Sequence, residues 1–335
     1  MSRRSLQAVG APRATLKVAV LKGGSSLERT VSLRSGARVQ HTLRALGHDV
    51  IPIDVGPDLV ERLLEAAPDA AFVALHGRNG EDGTVQGLLE TLAIPYTGSE
   101  PGACLRCTDK ALAKYTMRAA AIPTPPFAAF EESAIKELGL ATVLPRLQDT
   151  IGLPLVVKPA RQGSALGIKF ARAAQELPAA IVGALSYDRK VVVERYVKGR
   201  DLAVSVLDSP PTPADPGPDP LALPIVEAIP REEAFYDYSS RYEIGMTTFV
   251  CPAGLDEALA ARAQELALDV YRLLGCHGMA RVDLMLDEQT AELTVLETNV
   301  VPGLTETSLL PQAADAAGID FEELVARVLQ SAFTR

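Results

Sequence analysis

The sequence predicts an α/β protein with an N-terminal parallel-sheet domain followed by two regions of mixed strand and helix. Three observations carry that reading. Strand and helix patterns alternate from Leu16 onward, a glycine-bearing loop joins two apolar strands at "VVKPARQGSALGIKF", and a late pair of apolar runs, "RVDLMLDEQTAELTVLETN", carries an arginine among oxygen-bearing side chains. Alternating strands and helices imply crossover connections and ligands at the carboxyl ends of the strands. A glycine loop between adjacent strands makes a flap over whatever those strands bind.

The bulk properties narrow the function. At 335 residues the chain can hold two or three domains, and 47% hydrophobic with 22% charged residues fits a folded globular protein. A formal net charge of -9 argues against a broad grip on nucleic acid or an anionic membrane, so phosphate on a ligand must be held by local groups. No apolar run approaches the roughly 20 residues that cross a bilayer, so no membrane insertion is expected. Residues 1–15 are basic without an apolar core and read as a disordered lead rather than an export signal. Four cysteines do not make a disulfide scaffold in a chain this long, and a cytoplasmic location follows. Cys104 and Cys107 read as buried or half-buried thiols on a helix, having no second pair at zinc spacing.

The elements follow in order. "LKVAVLKGG", "DVIPIDV" and "AAFVALHG" are strands, separated by helices over "SLERTVSLRSGARVQHTLRALG" and "DLVERLLEAA". The first helix begins near Ser26, which puts Glu28 in its first turn, as a dipole-complementing residue or as the acceptor of a substrate ammonium group. "KGGSSLER" lacks the G-x-G-x-x-G spacing of a dinucleotide site. His76 follows the third strand directly, at the sheet's carboxyl edge, where a site role is a better candidate than usual.

A second region opens near Thr108 with a helix over "TDKALAKYTMRAAA", broken at "IPTPP". It continues through a helical stretch to three strands, "PLVVKPA", "GIKFARA" and "KVVVERYV". Lys158 ends the first of these, either emerging into water or pairing with an anion. The adjoining loop favours the anion, with Lys110, Ser164 and backbone N–H groups closing on the same phosphates. Backbone from Glu194 to Val197 could meet an adenine edge, and Asp201 a ribose. A third region, from about Gly199, holds "DLAVSVLDS", a proline-rich surface loop at residues 210–220, one further strand, a long helix over "DEALAARAQELALDVYRLLG", the hairpin and a final helix, "DFEELVARVLQSAF".

Strand side chains alternate faces, so Arg281 and Asp283 share one face, as do Glu297 and Asn299. A turn centred near Thr290 sets Asp283 opposite Glu297 and Arg281 opposite Asn299. Three hard oxygen donors on one patch suit Mg²⁺; the competing reading is a solvated hairpin face.

In this order the segments "LKGGSSLERTVSL", "ALHGRNGEDGTVQG", "PYTGS", "VVKPARQGSALG", "FYDYSSRY", "CPAGL", "ARVDLML" and "ETNVVPGLTETSLLP" resemble the D-alanine:D-alanine ligases of the ATP-grasp superfamily, from about Leu16 to the C-terminus. The resemblance implies an ATP-grasp fold, with a substrate-binding domain at 16–107 and two α+β domains, 108–198 and 199–335, enclosing ATP. It implies ATP-dependent joining of two D-alanine molecules through an acyl phosphate, for peptidoglycan precursors, in a cytoplasmic homodimer. Asp283, Glu297 and Asn299 would hold two Mg²⁺ ions, or Mn²⁺. Lys110, Lys158 and Ser164 would meet phosphates, and Glu194, Arg195, Val197, Asp201 and Arg241 the nucleotide. Glu28 would take the first D-alanine's ammonium group, with His76 near its carboxylate. Tyr242 and Ser308 would line the second site, Gly303 and Leu309 would also contact substrate, and Arg281 would hold the oxyanion. The loops at "RQGSALG" and "FYDYSSRYEIGMTTF" would be lids.

The chain departs from the family pattern at Arg195 and Arg241, where lysine is usual, at Ala165, where a second serine is common, and in "NVVPG" and Thr307. Charge is kept at the arginines while geometry is not. Three rival readings share some of these residues. They are a ligase with D-lactate, D-serine or another acceptor, a regulatory ATP-binding protein without turnover, and a biotin-dependent carboxylase-like enzyme.

Overall fold

The structure is a computed structural model that describes residues 15–139, 142, 144–209, 219–230, 247–287 and 289–334. The expected lead lies almost wholly outside the described residues. So do Arg241, Tyr242, most of the second expected lid and most of the proline-rich loop.

The N-terminal strands β1 (Lys17–Lys22), β2 (Asp49–Asp54) and β3 (Ala70–Val73) form a parallel sheet in the order β2-β1-β3. A parallel bridge from Ala71 to Tyr96 extends it. Val18 to Leu21 are wholly buried, as expected of a parallel strand covered on both faces. Val18 and Val20 pack with Val39 and Leu43 of α1 (Arg29–Ala45), whereas Ala19 and Leu21 pack with Leu59 and Leu63 of α2 (Leu59–Ala66). The two helices therefore cover opposite faces, and the chain changes direction between β1 and β3. The loops leaving those adjacent strands carry Glu28 and His76, at the crevice where such sheets bind ligands. Helix α1 starts at Arg29, not near Ser26. A turn closed by Arg29 N–H to the Ser26 carbonyl (3.1 Å) places Glu28 at the N-cap position, where its side chain makes no capping bond.

After α3 (Thr84–Thr91), α4 (Pro101–Thr108) leads into α5 (Lys110–Ala119), whose first amides, Ala111 and Leu112, donate to the Asp109 carboxylate. The central sheet is antiparallel and has four strands, in the order β4-β7-β5-β6. They are β4 (Phe127–Glu131), β5 (Leu155–Pro159), β6 (Lys169–Ala171) and β7 (Lys190–Arg195), with α6 (Glu132–Lys136), α7 (Leu144–Ile151) and α8 (Leu177–Leu185) between them. The sequence reading found three of these strands and gave only a helical stretch ahead of them, without the strand at "FAAFE". Alanine does not favour a strand there, but pairing of Phe127–Glu131 along β7 does. Leu155, Val157, Leu177, Ile181 and Val193 form a core of the central sheet's own.

The C-terminal sheet runs β11-β10-β8-β12-β13, with β9 also on β8. Its strands are β8 (Arg200–Ser209), β9 (Asp219–Ala222), β10 (Val226–Pro230), β11 (Thr247–Val250), β12 (Met279–Leu286) and β13 (Leu293–Asn299). Helix α9 (Glu257–Leu274) is capped by Asp256 at one end and by left-handed Gly275 at the other. Helices α10 (Leu309–Ala316) and α11 (Phe321–Gln330) close the chain; α10 and the β10–β11 pair are further than the sequence reading reached. One core joins Val18, Val20 and Phe72 of the first sheet to Val204, Val206 and Val282 of the last. The N- and C-terminal regions are thus packed as one body, while the central sheet keeps a separate core.

Candidate active site

The hairpin pairs Arg281 with Asn299 and Asp283 with Glu297, the expected register at these positions. It arrives there by an unexpected route. Nearer the turn Leu284 pairs with Val295, so one residue is taken up by a bulge at Leu296. Without that bulge the strand period would turn Glu297 to the opposite face.

Hairpin, glycine loop and first sheet meet at one cleft, lined by Arg281, Glu297 and Asn299, by Gln162 to Ser164, and by Gly77 and Glu81. Lys110 projects into it from the first turn of α5, its Nζ 3.0 Å from Glu297 Oε2 and 2.7 Å from the Gln162 carbonyl oxygen. Arg281 donates to Asp283 through Nε (2.6 Å) and Nη2 (2.9 Å), a buried bidentate pair. Asn299 Oδ1 accepts from the Val301 N–H at 3.0 Å. Two carboxylates and an amide oxygen, with no thiol or imidazole among them, are a donor set for a hard cation. Among the described residues no cluster of three or more His, Cys, Asp or Glu gathers as a metal site. Phosphate oxygens and water would therefore have to complete any such shell.

The glycine loop closes toward the N-terminal sheet. Ser164, held at a positive φ of 52°, donates to Glu28 Oε1. Its hydroxyl therefore meets the residue expected at the first substrate rather than standing free for phosphate. The Glu28 carboxylate sits between two glycines: a Cβ on Gly77 would lie 2.6 Å from Oε2, and one on Gly163 2.8 Å from it. Burial, and next the charge of Glu81, raise the Glu28 pKa above its ordinary value; the Ser164 bond, His76 and Lys110 oppose this. A bound ammonium group would relieve that strain on the ionised form.

His76 is buried, with Nδ1 3.4 Å from Glu81 Oε1 and Nε2 3.2 Å from Ser35 Oγ. Ser35 Oγ also accepts the Leu304 N–H at 3.1 Å. Both ring nitrogens are engaged within the protein, and His76 links the first sheet to the 303–308 loop. Ser308, the N-cap residue of α10, accepts from Thr305 N–H (3.0 Å) and contacts Thr305 Oγ1 (2.8 Å). Gly303 is packed so closely that a Cβ there would meet Ser308 Oγ at 2.6 Å, and Leu309 is buried in the next turn. Arg38 of α1 holds this loop through the carbonyl oxygens of Leu304 and Thr305 while lying over the Phe321 ring.

The anion that the buried Lys158 needs is Glu194, whose Oε1 lies 2.5 Å from its ammonium. The other oxygen, Oε2, is 2.9 Å from the ammonium of Lys114, a wholly buried lysine that the sequence reading passed over. Its one signal was the four-residue spacing from Lys110 on a helix. Arg195 is exposed at the end of β7, Val197 lies half-buried in the connection to β8, and Asp201 lies near the start of β8; none of the three lines the cleft described above. Burial pushes the Glu194 carboxyl up, but the Lys114 and Lys158 charges outweigh it and hold it below the usual range; burial likewise lowers Lys114, against the pull of Glu194. Because the folded pKa of Glu194 is depressed, its stabilising contribution is present above the unfolded value, about 4.3, and is lost as pH falls through the folded one. Glu194→Gln should therefore lower the thermal midpoint at neutral pH, with the gap to wild type closing below about pH 4. A gap that persists unchanged into that range would contradict the ion triad.

A flap-bearing antiparallel sheet facing a second sheet across lysines and carboxylates defines an ATP-grasp protein. A family model described as D-ala D-ala ligase C-terminus matches residues 116–330, and one described as D-ala D-ala ligase N-terminus matches residues 58–99. The D-alanine–D-alanine ligase of Pelotomaculum thermopropionicum is 41% identical over 318 residues, covering 95% of this chain and 97% of that protein. The chain belongs to the D-alanine–D-alanine ligase family. Among solved structures, the D-alanine–D-alanine ligase of Bacillus anthracis complexed with ATP aligns with a TM-score of 0.76 at 31% identity, covering 95% of this chain and 96% of that one. The D-Ala:D-Ser ligase of Enterococcus faecalis aligns at 0.77 and 26% identity, covering 96% and 100%.

Proposed function

We infer that the protein joins two D-alanine molecules into D-alanyl-D-alanine at the expense of ATP, releasing ADP and phosphate, as a step in peptidoglycan precursor synthesis. Family membership supports the reaction, and one observation ties it to this cleft. A buried carboxylate of raised pKa, Glu28, lies under the same flap whose Gln162 carbonyl oxygen accepts from Lys110, and Lys110 in turn pairs with Glu297. An ammonium acceptor is thereby set beside groups suited to phosphate.

A carboxylate is a poor acyl donor, so the first D-alanine is phosphorylated by ATP to an acyl phosphate. Lys110 and Lys158 would offset charge on the transferring group, and Glu28 would hold the substrate's ammonium group. The second D-alanine's amine then attacks. Arg281, which lines the cleft, would hold the tetrahedral oxyanion, and Ser308 with Gly303 and Leu309 would seat the acceptor's carboxylate. Glu194, Arg195, Val197, Asp201 and Arg241 would hold the nucleotide, and Tyr242 would complete the second site. Asp283, Glu297 and Asn299 would hold Mg²⁺, two ions in the fullest reading or Mn²⁺ in its place, supplying Lewis-acid neutralisation of phosphoryl charge. The flap at 161–167 excludes water that would hydrolyse the acyl phosphate.

Among the described residues no helix is long and apolar enough to cross a membrane. All four cysteines are free thiols, which suits the reducing cytoplasm where we place the enzyme, as a homodimer. The test is phosphate release from ATP and Mg²⁺ with D-alanine alone, L-alanine alone, or D-alanine with D-serine or D-lactate, products being identified by mass. D-alanine alone should give stoichiometric dipeptide. Turnover only with a second acceptor would reassign the enzyme to the mixed ligases, and no D-alanine-dependent product would overturn the reading.

A further inference from the structure

Helix α5 carries two lysines one turn apart, and each meets a carboxylate of a different sheet. Lys110 meets Glu297 of the hairpin, and Lys114 meets Glu194 of the central sheet. Lys114 is 1% exposed and Glu194 is 1% exposed, so both charges are buried and need counter-ions. Glu194 is shared, one oxygen with Lys114 and the other with Lys158. The Lys114 ammonium also donates to Thr124 Oγ1, and that hydroxyl donates to the Val295 carbonyl oxygen at 2.9 Å. The Val295 N–H in turn donates to the Pro123 carbonyl oxygen at 2.8 Å. Residues 123 and 124 thus clasp β13 immediately before the Leu296 bulge that turns Glu297 into the cleft.

A continuous polar chain therefore runs from Lys158 through Glu194, Lys114 and Thr124 to the hairpin backbone. It is one link, beside Lys110, between a sheet with its own core and the sheet that presents the carboxylates. We propose that Lys114 is a positioning residue that fixes the spacing between Lys158 and Glu297, and so sets how tightly the cleft grips the nucleotide. The proposal rests on the reading of the cleft as the ATP site. Lys114 touches no substrate; it acts through Glu194 and Thr124.

The experiment first establishes ATP binding to the wild-type protein by calorimetry, which tests the nucleotide reading by itself. Lys114→Met is then expected to raise both the Kd and the KM for ATP by about fivefold or more, with the KM for D-alanine at saturating ATP nearly unchanged. A purely structural lysine would instead lower the thermal midpoint and leave the ATP constants of the folded enzyme alone. Combined with Glu194→Gln, Lys114→Met should add no further loss of ATP affinity, because both changes cut one chain. A smaller rise in the single variant, or losses that multiply in the double variant, overturns the proposal while ATP binding by the wild type stands. Should Lys114→Met fail to fold, Thr124→Val decides: a weakened ATP affinity supports the chain, and an unaltered one overturns it.

Discussion

Glu297→Gln should cost turnover on the order of 10³-fold while leaving the fold nearly untouched. The loss follows from removing one of two carboxylate charges in the donor set. On the proposed metal assignment, several kcal/mol of phosphoryl charge neutralisation would depend on that set, and each 1.36 kcal/mol is about tenfold in rate. The fold survives because the substituted amide keeps an oxygen for the Lys110 ammonium, which also donates to the Gln162 carbonyl oxygen. Glu297 is only partly buried, so its ion pair is screened by water and contributes little stability. A thermal midpoint within about 3 °C of wild type is expected. Nucleotide binding measured by calorimetry should lose most of its dependence on Mg²⁺, a readout that does not pass through turnover. Activity within about tenfold of wild type, with the Mg²⁺ dependence retained, would remove Glu297 from the metal assignment.

That prediction was open to the sequence because strand alternation is a local rule. The spacing of Arg281 to Asp283 and of Glu297 to Asn299 fixes their shared faces whatever the rest of the chain does. The bulge at Leu296 was not open to it: no local residue pattern marks it, and the contacts beside it come from residues 123 and 124, over 160 residues earlier. The positions of Glu28 and His76 were legible for the same kind of reason: one opens the helix after the first apolar strand, the other directly follows the third, and strand–helix alternation places both at one sheet edge. Their partners were not. Ser164 reaches Glu28 from 136 positions away, and Ser35 ties His76 to Leu304. Lys158 was read as a partner of phosphate, whereas the carboxylate it meets is Glu194, and naming that partner required knowing that β7 lies beside β5, a matter of sheet order that no local pattern encodes. The strand β4 was missed because its strand state comes from pairing, as the sheet's edge, along β7, not from propensity.

Asp283→Ala should abolish turnover to a similar degree, but with a stability cost that Glu297→Gln does not carry. Asp283 is 4% exposed and grips Arg281, itself 8% exposed, through both carboxylate oxygens. Removing one partner strands the other charge in a buried site, at about 3–5 kcal/mol. The thermal midpoint should fall by several degrees, and inactivity in this variant alone would not separate chemistry from folding. Replacing both partners does separate them. Asp283→Ala with Arg281→Met takes away the stranded cation together with the anion, and a buried ion pair exchanged for apolar groups is often neutral in stability. The double variant should regain most of the lost midpoint and none of the turnover. If it is as unstable as Asp283→Ala, the stranded arginine is not the cause of the instability. If either variant turns over D-alanine near the wild-type rate, then the buried Arg281–Asp283 pair is structural and the hairpin is not the catalytic floor.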